Sequence, residues 1–167
     1  MSRYRFGRRR VRPGAVAAAL GAVLVLGAWA APGGQRVHAP TQAAREAIAF
    51  ARAQLGKPYE WGGTGPGAFD CSGLVMMAYA SAGVSIPRTS QEQWAELRHV
   101  ARPRPGDLVL APGSDGTASS PGHVGLVIGG GKVIQAYAPG YPIAVTTLAA
   151  FSSGAGGIVG YARPGGK

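Results

Sequence analysis

The chain holds a single cysteine, Cys71, within AFDCSGLVMMAYASAG (Ala68–Gly83). It stands between Asp70 and Ser72, just where an apolar helical pattern begins. The first turn of a helix presents unpaired backbone N–H groups and the positive end of the helix dipole. Both favour thiolate over thiol, and the thiolate is the nucleophile. The same N–H groups can donate to an oxyanion formed beside the sulfur. A small, buried, inert cysteine is the competing reading.

A nucleophilic thiol needs a base, and three histidines are available. His38 lies in a Gly/Pro-containing stretch, and His99 follows a helical pattern in a charged segment, where a solvated ring is the plain reading. His123 opens the apolar stretch HVGLVIGGGKVIQAY. If Gly129–Gly131 makes a hairpin loop, Gln135 falls opposite Gly125, on the face that carries His123. Diagonal cross-strand neighbours are close enough for long side chains to meet. The Gln135 amide oxygen can then accept a hydrogen bond from one imidazole N–H, which fixes the tautomer and turns the other nitrogen toward Cys71. The other face carries Val124, Leu126, Ile128, Ile134 and Ala136, a core face. A satisfied polar pair at a sheet edge is the alternative for His123 and Gln135.

These residues need particular elements to hold them. TQAAREAIAFARAQLG reads as a helix capped by Thr41, with Ala44, Ala47, Ile48, Ala51 and Leu55 on one face and Gly56 at its end. A Gly/Pro-rich loop follows, KPYEWGGTGPGAFD. The second helix starts at Cys71, shows an apolar stripe of Leu74, Val75, Ala78, Tyr79 and Ala82, and stops at Gly83. Thr89 to Glu92 has the capping-box pattern of a third short helix running to Leu97. Strands are expected at Leu108–Leu110, His123–Ile128, Val133–Tyr137, Ile143–Thr147 and Ile158–Tyr161. Residues 112–122, PGSDGTASSPG, read as a surface loop. Helices first and strands after predict an α+β fold with a C-terminal antiparallel sheet.

The net charge of +10 over 167 residues suggests a nucleic-acid partner, but its distribution does not. Seven of the 17 Lys and Arg residues precede residue 40, and all seven Asp and Glu follow it. Ten basic against seven acidic residues leave residues 40–167 at only +3, with no basic stripe. The basic start precedes an uncharged apolar run, Gly14–Ala31, the pattern of a secretory signal or of a membrane anchor. That run is about long enough to span a bilayer, so length does not separate the two. Ala28-Trp29-Ala30 and Val37-His38-Ala39 are candidate cleavage sites. Residues 1–39 are therefore read as signal or anchor plus linker, and 40–167 as one domain. Exported domains use cysteines in pairs, so a lone thiol calls for a reason. The spacing of the histidines and the cysteine fits no zinc site, and neither metal nor cofactor is expected.

Four blocks, KPYEWGGTGPGAFDCSGL, IPRTSQEQW, RPGDLVL and GHVGLVIGGGKVIQA, resemble in order and spacing the NlpC-type family of papain-like cysteine peptidases. The likeness runs from about Thr41 to Ala162. It implies a papain-like fold, with Cys71 as nucleophile and His123 as base. Gln135 stands where the family usually has a second histidine. A neutral amide holds an imidazolium less tightly than a carboxylate would. The resemblance also implies that Tyr59 helps the oxyanion, that Asp70 and Ser72 hold the free amine end of a substrate peptide, and that Arg88, Thr89 and Ser90 line the cleft. Asp70 also reads as a helix N-cap, and Trp61 as a groove wall or as core. The implied substrate is the stem peptide of bacterial peptidoglycan, cut between D-glutamate, through its side chain, and diaminopimelate, by an exported monomer that meets the membrane only through its N-terminal segment. An amidase cutting another wall bond, a non-catalytic wall-binding module and a secreted regulator with a redox thiol are the alternatives.

Overall fold

The computed structural model describes residues 41–165. The expected signal or anchor, its linker and His38 lie outside the described residues.

Helix α1 (Gln42–Ala53) is capped by Thr41, whose hydroxyl accepts from the Ala44 amide. It buries Ala44, Ala47 and Ala51, and these small residues let it lie close on α2. The helix ends at Ala53, short of Gly56, and Leu55 stays largely exposed. Helix α2 (Cys71–Ala80) starts at the cysteine, with Asp70 as N-cap. It is buried on more than the one expected stripe, because α1, α3 and the sheet all close on it. Helix α3 (Ser90–Glu96) carries the Thr89–Glu92 capping box.

Six strands form one sheet: β1 (Arg98–Val100), β2 (Leu108–Ala111), β3 (His123–Gly129), β4 (Lys132–Gln135), β5 (Ala144–Thr147) and β6 (Gly160–Arg163). The order is β1-β6-β2-β3-β4-β5, and each adjacent pair is antiparallel. The β3–β4 hairpin turns through Gly129–Gly131, all with positive φ, a conformation that costs glycine little. Leu126 pairs with Ile134 and Val127 with Val133. This is the expected register, and it sets His123 and Gln135 on one face. Val124, Leu126, Ile134 and Ala136 face the other way and form the main core with α1 and α2.

Two elements depart from the expectation. The three-residue β1 pairs with β6 at one edge of the sheet. Helix α4 (Leu148–Gly154) packs Phe151 over Val109, Val127 and Val133 and covers the sheet's second face. The architecture is α+β as expected, but a C-terminal helix makes a third layer. Gly125 has no room for a side chain in that layer. A Cβ there would lie 2.4 Å from Val133 Cγ1 and 3.0 Å from Phe151 Cε2.

Candidate active site

The loop between α1 and α2 is pinned onto the start of α2. The Asp70 amide donates to the Gly63 carbonyl (3.0 Å), and Phe69 N donates to Pro58 O (3.3 Å). A Cβ on Gly73 would sit 2.2 Å from Gly63 O, so only glycine lets loop and helix touch here. This contact brings Tyr59 and Trp61 to the mouth of the cleft that Cys71 faces.

Asp70 accepts five hydrogen bonds. Gly73 N (2.6 Å) and Ser72 Oγ (3.2 Å) donate to Oδ1, and Gly62 N (3.0 Å) donates to Oδ2. Arg88 adds Nη1 to Oδ1 (3.1 Å) and Nη2 to Oδ2 (2.5 Å), and Nη1 also donates to Ser72 Oγ (2.9 Å). Two carboxylate oxygens offer about four lone-pair sites, so this set fills the group. It is at once a helix cap, a loop anchor and half of an ion pair. Gln93, fully buried on α3, donates to the carbonyls of Ser72 (3.3 Å) and Pro87 (2.9 Å) and ties the Arg88 segment to α2.

The Cys71 thiol is 9 % exposed and donates to the Gly122 carbonyl at 3.9 Å. Burial pushes it up to about 11. Backbone hydrogen bonds from Val124 and Ser72 pull the other way, and the Asp70 charge adds to the rise. The helix start was expected to favour the thiolate. Here desolvation outweighs it, so the resting group is a thiol.

His123 begins β3, 5 % exposed. Its ring stacks on Phe151 (centroids 5.1 Å) and meets Tyr137 edge-on (5.8 Å). Nε2 donates to Gln135 Oε1 at 2.8 Å, which leaves the lone pair on Nδ1. Burial lowers its pKa below the ordinary histidine value, against smaller opposing effects of the Gln135 bond and the Asp115 charge. The resting pair is thus thiol and neutral imidazole. Tyr59 is pushed up to about 12, chiefly by desolvation and then by the Cys71 charge, so its hydroxyl stays protonated and able to donate.

The cleft has two lobes. One, of about 320 Å³, lies toward Arg88, Thr89 and Ser90. The other, of about 230 Å³, lies toward His123 and Tyr137. Tyr59, Trp61, Cys71, Asp115 and Gly122 line both. Every site residue expected from the sequence lines this cleft except Gln135, which stands behind His123. Trp61 is 74 % exposed, so it is a groove wall and not core. Asp115 was missed, since a lone acid in a flexible-looking loop carries no sequence signal. Among the described residues no cluster of His, Cys, Asp and Glu is arranged to hold a metal.

Residues 56–150 match the model of the NlpC/P60 family. A probable endopeptidase of Corynebacterium glutamicum is 42 % identical over 121 residues, 71 % of this chain and 54 % of that protein. The probable endopeptidase p60 of Listeria welshimeri is 44 % identical over 91 residues, 53 % of this chain and 17 % of that one. The chain thus spans about half, or less than a fifth, of these relatives. An NlpC/P60 family protein from Bacillus cereus superposes with TM-score 0.67 at 32 % identity, over 74 % of this chain and 41 % of that one. The peptidoglycan hydrolase RipB of Mycobacterium tuberculosis superposes with TM-score 0.59 at 33 % identity, over 73 % and 64 %.

Proposed function

The chain belongs to the NlpC/P60 family, and on that premise we propose that it is an exported cysteine endopeptidase of peptidoglycan stem peptides. The observation that carries the reading is the His123–Gln135 bond, which leaves Nδ1 as the basic nitrogen of a ring that shares its lobe with Cys71. The names of the Corynebacterium, Listeria and Mycobacterium relatives support the endopeptidase class and the wall substrate.

The reaction is acyl transfer. The substrate carbonyl enters above Cys71. His123 Nδ1 takes the thiol proton as sulfur bonds to the carbonyl carbon, and the carbonyl oxygen gathers negative charge. The Cys71 backbone N–H, at the first helical position and so without an intrahelical acceptor, and the Tyr59 hydroxyl donate to that oxygen. Collapse breaks the C–N bond, and His123 returns its proton to the leaving amine. Water then attacks the thioester with His123 again as base, which releases the acid and restores the thiol. Gln135 fixes the tautomer throughout. Asp70, Ser72, Arg88, Thr89, Ser90 and Trp61 shape the acyl side, where a substrate amine meets Asp70 only by competing with Arg88. The bond we assign is that of D-glutamate, through its side chain, to diaminopimelate. We take the active unit to be a monomer. No step calls for a metal or a cofactor.

The test is digestion of purified peptidoglycan by the protein and by its Cys71→Ala variant, with products read by mass spectrometry. Loss of D-glutamyl–diaminopimelate linkages with the unaltered protein alone is the expected outcome. Intact wall and intact stem peptides with both proteins would sink the assignment.

A further inference from the structure

Two carboxylates line the cleft among the described residues, and they differ in one respect. Asp70 is filled by Arg88, Ser72 and two backbone amides. Asp115 takes no hydrogen bond and no ion pair from the described residues, yet it lines both lobes beside the nucleophile. A Cβ on Gly122 would come within 2.5 Å of Asp115 Oδ1. The carboxylate therefore lies directly over the residue whose carbonyl receives the Cys71 thiol. Its loop is anchored at both ends, by Gly113 N to Ala155 O (3.0 Å) and Gly122 N to Pro112 O (2.9 Å). Asp115 is the one acid whose charge is felt at Tyr59, Cys71 and His123 alike.

The two lobes are not equivalent for a cation. The acyl-side lobe contains the Arg88 guanidinium, which disfavours a second positive charge. The lobe around His123 holds Asp115 as its charged lining residue, and the imidazole there is neutral at rest. His123 protonates the leaving amine, so this lobe receives the leaving side of the substrate. Asp115 is exposed to solvent in this lobe, and an ammonium group would take the place of water there through a charge-assisted hydrogen bond.

We propose that Asp115 is a specificity residue that binds the free second amine of a diamino acid on the leaving side of the scissile bond. The inference rests on the endopeptidase reading above and names the substrate class within it. The preferred stem is one whose side-chain amine is not acylated. A stem already joined to a neighbour through that amine presents a neutral amide to Asp115 and is the poorer substrate.

The test uses the full chain and two peptides, L-alanyl-γ-D-glutamyl-diaminopimelate and the same peptide acetylated on the free side-chain amine of the diaminopimelate. The readout is the ratio of kcat/KM for the free-amine peptide over the acetylated one. The expected ratio is about 10 for the unaltered protein, the worth of one charge-assisted hydrogen bond at a partly open site. It should fall to about 1 in Asp115→Asn and below 1 in Asp115→Lys, where an ammonium replaces the acid. A ratio of about 1 in the unaltered protein, or one that survives in Asp115→Asn, overturns the proposal and leaves the endopeptidase reading in place. If the unaltered protein cleaves neither peptide, that reading fails and the proposal falls with it.

Discussion

Replacing Gln135 with leucine tests whether the third residue of the site does catalytic service. Leucine is near in volume but removes the acceptor that His123 Nε2 meets at 2.8 Å. In the transition state the imidazole is protonated, and the bond then becomes charge-assisted. Such bonds contribute roughly 1.5–3 kcal/mol, and each 1.4 kcal/mol is about tenfold in rate. The expected loss is therefore about 10- to 100-fold in kcat, with KM little changed because Gln135 lies behind the ring and away from substrate. The pH profile gives a second, independent reading. The Gln135 bond raises the His123 pKa, against burial, which lowers it. Free enzyme needs the neutral ring, so kcat/KM falls as pH drops through that pKa, below 6.5. Without the bond this acid limb moves to lower pH, and in Gln135→Glu, whose carboxylate favours the imidazolium, it moves up. The orphaned N–H also costs about 1–3 kcal/mol of stability, so rates are compared at 25 °C after thermal melts fix the folded fraction. Activity within about twofold of the unaltered protein, together with an unmoved acid limb, would refute the orienting role of Gln135.

Two further outcomes follow from the same geometry. With the thiol near 11, alkylation of Cys71 by iodoacetamide should quicken about tenfold per pH unit from pH 7 to 10, tracking the thiolate fraction. A flat rate from pH 5 to 8, followed by mass spectrometry, would instead mean a standing thiolate–imidazolium pair. Gly73→Ala should cost about 1–3 kcal/mol by chemical denaturation and sharply reduce activity, because its Cβ would collide with Gly63 O at 2.2 Å and lift the Tyr59 loop. Unchanged stability there would mean that the loop yields without loss.

What the sequence disclosed was whatever is encoded locally. The Asp70 cap, the Thr89–Glu92 box and the Gly129–Gly131 hairpin each rest on residues a few positions apart, and each has its expected counterpart in the structure. The hairpin mattered most, since its register alone joins His123 to Gln135. Strand β1 escaped notice because its three residues, Arg98–Val100, carry charge and pair with β6 from the far end of the chain. Helix α4 escaped because LAAFSSG is rich in small residues and offers one large anchor, Phe151, although Thr147 does cap it. The Arg88–Asp70 pair joined two residues already expected in the cleft, but nothing in their spacing showed that each occupies the other. Helix position is legible in a sequence, whereas desolvation by elements brought from elsewhere is not.

That desolvation bears on how long the protein survives its surroundings. Oxidation to sulfenic acid and beyond follows thiolate character and exposure. A group near 11 is ionised in only about one molecule in ten thousand at pH 7, and the cleft floor hides most of its surface. A permanently ionised sulfur at the same place would be consumed by peroxide or captured by stray disulfides. On the proposed mechanism, a thiol that keeps its proton until a carbonyl arrives would give a solitary cysteine a durability against oxidation.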